Sequence, residues 1–276
     1  MGAVDELGTA VAELRVEPGT KARLADRPTD SRLGLGNHNG SDAVLAELDG
    51  RLDGLHNRLW AEGARSVVLV LQGMDASGKD GTIRRVLTGL NPQGCDVVNF
   101  RAPTGPEVAH DYLWRIHRSL PARGLLGVMN RSHYEDVVAA YVVGMIDADH
   151  RTRRYRHIRE FERMLVDEGT HLVKVFLHVS KDEQRRRLQE RIDDPAKRWK
   201  FRRTDLDTRA RWDDFQAAYE DALTETSTEW APWYVVPGDR KRARDVAVTR
   251  LLVDELERLD PRIPPPDPGL DGIVVE

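Results

Sequence analysis

Hydrophobic residues in this chain follow two patterns, helical spacing and short continuous runs. Leucines at helical spacing predict an amphipathic helix over residues 43–63, namely Leu45, Leu48, Leu52, Leu55 and Leu59. The β-branched and apolar run at 66–72 is typical of a strand buried on both faces. Further strands are predicted at 96–100, 124–130, 171–179 and 233–236, and helices at 79–90, 106–120, 132–168 (broken near 144–149), 181–192, 207–226 and 240–259. This alternation predicts a three-layer α/β/α sandwich around a parallel sheet.

The two ends of the chain lack this periodicity. Residues 1–42 are dense in Gly, Pro, Asp and Asn, which predicts an extended arm. Residues 261–276 form an acidic tail that begins with closely spaced prolines. The folded domain is therefore expected to span residues 43–260.

Composition narrows the class of protein. A chain of 276 residues with 40% hydrophobic content suffices for one well-buried α/β domain. The single cysteine, Cys95, excludes a disulfide framework, and neither a secretory signal nor an apolar run long enough to span a bilayer is visible. We therefore expect a cytoplasmic protein with no membrane partner. The net charge of −4 argues against a nucleic-acid partner, but a local excess of basic residues at 183–203 indicates one anionic ligand.

A glycine-rich segment directly follows the first predicted strand. It reads Gly-Met-Asp-Ala-Ser-Gly-Lys-Asp-Gly-Thr at 73–82, and Gly-x4-Gly-Lys between a strand and a helix is the phosphate-loop arrangement. Backbone N–H groups, the helix N-terminus and the lysine together bind phosphate. An ordinary glycine turn is the alternative, which the coincidence of strand, glycines, lysine and helix disfavours. The predicted phosphate-binding residues are Gly73, Ser77, Gly78, Lys79, Gly81 and Thr82.

Two carboxylates in this segment are unusual beside phosphate. Asp80 occupies the position where Ser or Thr commonly ligates magnesium. Asp75 would repel phosphate unless it holds a cation or accepts a proton, so we interpret it as functional. The alternative is that Asp75 stabilises the loop through an Asx turn.

A second polar segment follows the strand predicted at 124–130. In open parallel sheets, ligands bind beyond the carboxyl ends of the strands, which places Arg131 where it can meet a transferring phosphoryl group. Glu135 and Asp136 could direct carboxylates at magnesium. Alternatively, Ser132 caps the next helix and Glu135 completes a capping box, which would weaken Glu135 as a ligand and leaves Asp136 undecided.

The basic segment at about 183–206 predicts a helical lid over the phosphates. Arg187 and Arg191 share one helical face, and Trp199 and Phe201 are interleaved with basic residues. Such lids close over phosphates and exclude water. A solvated charged face is the alternative. The predicted phosphate ligands of the lid are Arg187, Arg191, Arg198, Lys200 and Arg203.

Five segments of the chain together resemble the polyphosphate kinase 2 family. They are residues 73–82, Asn-Pro-Gln-Gly at 91–94, Asn-Arg-Ser-His-Tyr-Glu-Asp-Val at 130–137, Asp-Pro-Ala-Lys-Arg-Trp-Lys-Phe at 194–201 and Ala-Pro-Trp-Tyr-Val-Val-Pro at 231–237, within a likeness that runs from about residue 18 to 261. The resemblance implies a thymidylate kinase-like P-loop fold, Mg²⁺ as cofactor and inorganic polyphosphate as donor. The implied acceptor is ADP and, in the branch that shares Asn130, AMP as well. Adenine or guanine preference stays open.

The resemblance also implies roles for particular residues. Asp75, Lys79 and Arg131 match essential positions, and the lid arginines with Lys200 match a polyphosphate-contacting segment. Asn91 and Arg101 fall where the family approaches the nucleotide, and Asp75 and Asp136 are the expected metal ligands. The chain departs from the family pattern at 139–144, which lacks an arginine, and at Arg159, where asparagine is expected.

Two rival functions stay open at the level of sequence. One is an ATP-dependent nucleoside monophosphate kinase on the same fold, and the other is a polyphosphate- or nucleotide-binding protein without turnover. A homo-oligomer is expected, because the helix at 43–63 could pack against a second subunit as easily as against its own core.

Overall fold

A six-stranded sheet forms the centre of the protein, whose computed structural model describes residues 3–36, 38–270 and 273–275. The strands are β1 (Arg15–Val16), β2 (Ser66–Gln72), β3 (Cys95–Asn99), β4 (Leu126–Asn130), β5 (Thr170–His178) and β6 (Trp233–Pro237). Their order is β1-β6-β5-β2-β4-β3. All neighbours are parallel except β1, which pairs antiparallel with β6. The five strands predicted from sequence are confirmed, whereas β1 was not predicted.

The strand that precedes the glycine-rich loop lies in the interior of the sheet. All seven residues of β2 are buried, and it pairs with β4 on one side and β5 on the other. Helices cover both of its faces, which explains why its sequence is continuously apolar rather than alternating. The loop after β2 therefore starts from a rigid position at the carboxyl edge of the sheet.

Ten α-helices pack around the sheet in the described part of the chain. They are α1 (Ala3–Ala12), α2 (His38–Glu62), α3 (Lys79–Val86), α4 (Trp114–Arg118), α5 (Ala139–Val142), α6 (Ala148–Asp167), α7 (Lys181–Asp193), α8 (Thr204–Ala210), α9 (Trp212–Thr226) and α10 (Lys241–Leu259). One buried cluster joins α1, α2, α3 and α10 to the sheet face that carries Leu69. A second joins α4, α5, α6 and α9 to the face that carries Val70. The predicted three-layer α/β/α sandwich is confirmed.

Three predicted helices are divided in the structure. The region 106–120 forms a 3₁₀ helix (Gly105–Ala109) and then α4, because the Asp111 side chain accepts a hydrogen bond from Leu113 N (2.9 Å) and starts a new turn. The region 132–168 forms a 3₁₀ helix (His133–Asp136), α5 and α6, and 207–226 is divided near Arg211. The basic segment has α7, a 3₁₀ helix (Arg198–Lys200) and α8.

The N-terminal segment is not the extended arm that its composition predicted. Within residues 1–42 lie α1, β1 and the start of α2. Leu7 and Val11 of α1 are one helical turn apart and are buried in the same cluster as α10. Arg27 stabilises the turns that follow by donating to the carbonyl oxygens of Ala22, Leu14 and Arg15 at 2.9–3.0 Å. Residues 3–36 therefore form a compact segment, called the N-terminal strap below, in which one arginine donates to three carbonyl groups.

The C-terminal tail, unlike the N-terminal segment, has no regular secondary structure in its described part. Its described residues, 261–270 and 273–275, form neither helix nor strand, and Ile263 is exposed. Among the described helices, none combines the length and apolar character that crossing a bilayer requires.

Candidate active site

A cleft of about 510 Å³ opens at the carboxyl edge of the sheet. Its walls come from the glycine-rich loop, the start of α3, the ends of β3 and β4, α7, the basic segment that follows α7, and the first turns of α10. Ligand sites of parallel α/β sheets lie at this edge. Of the predicted phosphate-loop residues, Ser77, Gly78, Lys79 and Gly81 line the cleft, whereas Gly73 and Thr82 lie behind it.

Two glycines of the loop have conformations that other residues rarely adopt. Gly73 has a φ of 147°, and a Cβ atom on it would lie 2.8 Å from the carbonyl oxygen of Leu177. Gly78 has a φ of 110°, and a Cβ atom there would overlap the guanidinium of Arg244. The loop is thus closed tightly between β5 and α10, which requires glycine at both positions.

Lys79 is buried inside the loop at 8% exposure. Its Nζ donates to the carbonyl oxygens of Gly73 (2.7 Å) and Met74 (3.1 Å). Burial, with repulsion from Arg131, lowers the pKa of Lys79 to about 8. The ammonium group is therefore poorly solvated, and an anion in the cleft would be a strong partner for it.

Arg131 and Asp75 form an ion pair across the cleft, with Nη2 and Oδ1 at 2.6 Å. Asp75 is further positioned by Gln184 of α7, which donates to its backbone oxygen at 3.0 Å. Glu135 lies 3.9 Å from Arg131, and these two carboxylates raise the pKa of the guanidinium despite its burial. The structure thus brings together Asp75, Lys79 and Arg131, as the sequence predicted.

The capping box considered as an alternative at Ser132 and Glu135 does not form. Ser132 does cap the following turn, but its Oγ accepts from Tyr134 N (3.3 Å), and the turn is a 3₁₀ helix. The side-chain amide of Gln72 satisfies its neighbours when its nitrogen donates to Glu135 Oε1 (2.9 Å) and its oxygen accepts from Ser132 N (3.0 Å). Burial raises the pKa of Glu135. Glu135 thus lies behind the cleft lining, between Arg131 and Gln72, a position that the capping alternative did not indicate.

The carboxylates considered as metal ligands lie in different surroundings. Asp80 lines the cleft, accepts from Asn130 Nδ2 at 2.9 Å and lies 3.9 Å from Lys200. Asp136 does not line the cleft, because its carboxylate faces away and accepts from Arg115 Nη2 at 3.2 Å. Within the described ranges, no three His, Cys, Asp or Glu side chains converge on a metal position. Asp75 and Asp80 line the cleft beside the phosphate loop, and Glu190 and Asp205 are the other carboxylates of its lining. Carboxylate oxygens suit a cation that is shared with phosphate and water.

The basic lid residues divide into three groups. Arg187, at 7% exposure, donates to the carbonyl oxygens of Ala76 (3.1 Å), Ser77 (2.8 Å) and Gly238 (2.6 Å), so it clamps the phosphate loop to the turn before α10. Arg191 and Lys200 line the cleft, as Arg187 also does, but they do not clamp the loop. Arg198, which donates to Ile192 O (2.7 Å), and Arg203 lie outside it.

The two predicted nucleotide contacts are also separated. Arg101 lines the cleft. Asn91 lies away from it and caps the 3₁₀ helix Pro92–Gly94 by accepting from Gln93 N at 3.0 Å.

Five basic residues of the cleft were not among the predicted ligands, namely Arg84 of α3, Lys197 and Arg202 of the basic segment, and Lys241 and Arg244 of α10. Lys241 and Arg244 are three residues apart in the first turn of their helix, so they share a face. That spacing was visible in the sequence. Nothing local, however, indicated that the N-terminus of α10 returns to the phosphate loop.

These features define a phosphotransferase of the P-loop kinase class, with a kinase-like parallel sheet and a cationic cleft over a phosphate loop. The model of the family described as "Polyphosphate kinase 2 (PPK2)" matches residues 37–264 of this chain. The chain belongs to the polyphosphate kinase 2 family. The departures at 139–144 and Arg159 do not disturb this membership.

Characterised relatives cover nearly the whole chain. An AMP/ADP-polyphosphate phosphotransferase of Meiothermus ruber is 50% identical over 263 residues, which are 95% of this chain and 98% of that protein. An ADP-polyphosphate phosphotransferase of Rhodopseudomonas palustris is 42% identical and covers 93% of both chains. The crystal structure of polyphosphate kinase 2 from Arthrobacter aurescens TC1 matches with a TM-score of 0.89 at 44% identity, over 94% of this chain and 92% of that one.

Proposed function

We propose that this protein transfers a phosphoryl group from inorganic polyphosphate to ADP and to AMP, with Mg²⁺ as its cofactor. The observation that carries the proposal is the convergence of Lys79, Arg131 and Asp75 on one cleft. The full-length similarity to an AMP/ADP-polyphosphate phosphotransferase supports the choice of donor and acceptors. Cytoplasmic location, homo-oligomeric state and the absence of a nucleic-acid partner stay predictions from the sequence.

The proposed reaction is a direct in-line transfer. A terminal phosphate oxygen of the nucleotide attacks the terminal phosphorus of polyphosphate. The new P–O bond forms as the bond to the next phosphate breaks, and the shortened polyphosphate leaves with the electron pair. Lys79 and Arg131 stabilise the negative charge on the transferring oxygens, so positioning and charge neutralisation supply the catalysis without a covalent enzyme intermediate.

The cleft chemistry suits magnesium held between protein and phosphate. Asp75 and Asp80 are the residues that would hold it, since both line the cleft beside the loop. When bound, the ion would supply further neutralisation of phosphate charge. Asp136, paired with Arg115, is not part of this proposed donor set.

The lining of the cleft favours polyphosphate over ATP as donor. Basic residues from two parts of the chain line the cleft with the phosphate loop, Arg191 and Lys200 from α7 and the segment after it, and Lys241 and Arg244 from α10. Phe100 is the one aromatic side chain among the described lining residues. An ATP-dependent nucleoside monophosphate kinase must accommodate two bases, whereas a polyphosphate donor needs only an extended cationic track.

One assay separates the three candidate functions. Purified protein is incubated with magnesium and each nucleotide, with and without long-chain polyphosphate, and the products are resolved by chromatography. Formation of ATP from ADP only when polyphosphate is present supports the proposal. Transfer only from ATP would indicate a monophosphate kinase, and binding without product would indicate a binding protein.

Lys79→Ala tests the loop within the same assay. Removal of one preorganised contact to the transferring group is expected to lower turnover by about 10²-fold or more. Arg185→Ala is the matched control, because Arg185 is an exposed arginine of α7 whose partner is Asp182 on the same helix. Equal turnover of the two variants, with folding intact, would refute the phosphate-loop assignment.

Asp75→Asn tests the proposed metal position. The variant keeps the shape of the side chain and removes its charge. We expect activity to collapse while the melting temperature stays level. Retention of more than about a tenth of wild-type turnover, a loss below roughly 1.4 kcal/mol of barrier, would remove Asp75 from the mechanism.

A further inference from the structure

A buried ion pair lies behind the wall of the cleft. Lys174 of β5 and Glu162 of α6 are both 0% exposed, and their Nζ and Oε2 atoms are 2.6 Å apart. Lys174 also donates to Thr226 O (2.7 Å) at the end of α9 and to the hydroxyl of Tyr134 (3.0 Å). Its three N–H groups therefore all have acceptors.

The carboxylate is satisfied by the segment that follows β4. Glu162 Oε1 accepts from the hydroxyl of Tyr134 (2.7 Å) and contacts His133 Nε2 (3.3 Å). Burial alone would raise the pKa of Glu162, but Lys174 and His133 hold it below the ordinary value. Burial lowers the pKa of Lys174, and Glu162 opposes that shift. The pair is thus fully hydrogen-bonded, although it lies among apolar residues.

Stability alone does not account for such an arrangement. Removing two charges from water costs more than their attraction often returns, and apolar side chains of similar volume commonly serve as well or better. What the pair does achieve is specific orientation, because its hydrogen bonds are directional. The directed groups are two consecutive side chains, His133 and Tyr134.

These two side chains belong to the short segment that carries the cleft wall. Arg131 stands two residues before His133, and Glu135 directly follows Tyr134. Arg131 has a φ of 64°, a left-handed conformation that a non-glycine residue keeps only where its surroundings determine it. The Tyr134 ring is also held edge-on against Trp233, with centroids 4.7 Å apart.

We propose that the Lys174–Glu162 pair is a positioning device that sets the orientation of Arg131 and Glu135 through His133 and Tyr134. The pair touches no group that lines the cleft, so its action on the reaction is indirect. This inference rests on the proposed function, since it assigns Arg131 to the transferring phosphoryl group.

The sharpest test compares single and double variants. Glu162→Gln and Lys174→Met each leave one buried charge without its partner, and each is expected to lower the melting temperature. The double variant removes both charges and is expected to recover most of that loss. If the pair only stabilises the fold, kcat recovers along with the melting temperature.

The positioning role predicts a different result for the double variant. Its kcat is expected to stay about 10- to 100-fold below wild type, while the KM for polyphosphate changes less than about threefold, because the geometry of transfer is altered and the cationic track is not. A double variant with wild-type kcat would overturn the proposal. So would a fall in polyphosphate binding that matches the fall in turnover.

Tyr134→Phe decides the matter if the double variant does not fold. It retains the buried ring and removes only the hydroxyl that bridges Lys174 and Glu162. The expected result is a loss of kcat of about tenfold, measured at a temperature where the variant is fully folded, with a fall in melting temperature smaller than that of either charge variant. Tyr155→Phe is the control, because Tyr155 is also a buried tyrosine, and its hydroxyl makes no hydrogen bond to Lys174 or Glu162 in the described part of the chain. Equal kcat for Tyr134→Phe and Tyr155→Phe would overturn the proposal.

The same measurements keep this inference separate from the proposed function. A wild-type protein that gives no polyphosphate-dependent product would overturn the proposed function itself. An active wild type with fully active Tyr134→Phe and double variants would overturn the positioning role alone.

Discussion

Two residues that line the cleft have strained backbone conformations. Ala76 and Arg131 both have left-handed backbone conformations, with φ of 62° and 64°. Each costs roughly 1–3 kcal/mol and persists only where the surroundings enforce it. Arg187 holds Ala76 through its carbonyl oxygen, and Leu71 O holds Arg131 by accepting from its N–H at 3.0 Å. The loop and the segment after β4 are thus preorganised by main-chain hydrogen bonds.

Gly73 and Gly81 provide a matched pair for testing the tightness of this loop. Gly73→Ala is expected to destabilise the protein by about 2 kcal/mol or more, because its φ of 147° is almost exclusive to glycine and the new Cβ meets Leu177 O. Gly81→Ala is expected to be neutral or stabilising by up to about 1 kcal/mol, since Gly81 is helical and its Cβ would lie 3.5 Å from Arg244. Urea unfolding measures both. Equal effects would contradict the loop geometry.

Local chemistry made some site residues predictable and hid others. Asp75, Lys79 and Arg131 were predictable because strand ends and glycine spacing fix where such residues lie in a parallel sheet. The partners of Arg187 were not, because they are carbonyl oxygens that come together only after folding. Glu135 was misread since a 3₁₀ turn, and not the predicted α-helix, follows Ser132.

At the scale of elements, the segment after α7 combines cleft residues with outward-facing ones. Lys200 lines the cleft and lies 3.9 Å from Asp80. Arg198 instead donates back to the end of α7 at Ile192 O. Two basic residues separated by one position therefore have different roles, which charge counting could not distinguish.

Alanine variants at these two positions test that division. Lys200→Ala is expected to raise the KM for polyphosphate by roughly 3- to 10-fold, the scale of one charge contact worth up to about 1.4 kcal/mol. Its KM is also expected to depend less on salt, because one cation–phosphate contact is lost. Arg198→Ala is expected to change KM less than about twofold. Equal changes in KM for both variants would contradict this division, because they would mean that both side chains bind polyphosphate or that neither does.

The start of β5 contains a histidine that couples stability to pH. His171 Nδ1 accepts from Arg258 of α10 at 3.3 Å, and burial, Arg258 and Arg65 lower the pKa of His171 to about 4. Glu255 lies 3.6 Å away but already pairs with Arg258 at 2.5 Å, so it does not reverse this shift. The imidazole is therefore neutral in the folded protein well below pH 6.5.

The sign of the pH effect follows from linkage. Below about pH 6.5 the unfolded chain protonates His171, while the folded protein does not until about pH 4. The unfolding free energy is therefore expected to fall as pH drops across this window. His171→Gln is expected to make that decline shallower, as measured by urea unfolding at pH 7.5 and 5. A decline equal to that of wild type would contradict the neutral histidine.

Secondary structure was most predictable where burial is complete. The strands β2, β4, β5 and β6 are mostly buried, and they were found because largely apolar runs between turn residues have few other interpretations. The division of 106–120 into a 3₁₀ helix and α4 was not found, because one hydrogen bond from Leu113 N to the Asp111 side chain decides it. The spacing of apolar residues does not reveal where a side chain competes with the helix for a backbone N–H group.

At the scale of the whole molecule, the N-terminal strap is connected to the phosphate loop. Thr29 bonds with Asp239 through its side chain (2.8 Å) and its carbonyl oxygen (2.9 Å). The carbonyl oxygens of Gly238 and Asp239 accept from Arg187, which in turn holds Ala76 and Ser77. A chain of short contacts thus runs from the strap to the loop. Composition alone had predicted an extended arm here.

Deletion of residues 1–34 tests this connection. The truncation removes α1 from its packing against α10, the β1–β6 pairing and the Thr29–Asp239 contacts. We expect a lower melting temperature and, because the Gly238–Asp239 turn loses its support, a fall in kcat that exceeds any change in nucleotide KM. Differential scanning calorimetry and the polyphosphate-dependent assay measure the two effects.

Deletion of residues 264–276 is the matched control for chain shortening. The described tail residues beyond 263 are exposed and form no helix or strand, so their removal is expected to leave both quantities near wild type.

Thr29→Ala isolates the connection itself, because it deletes the side-chain bond to Asp239 while the strap stays in place. If the strap only adds stability, the N-terminal truncation will have a lower melting temperature, but its kcat will equal that of wild type when both are assayed at a temperature where the truncated protein is folded. That outcome would contradict the inferred connection from Thr29 through Arg187 to the phosphate loop.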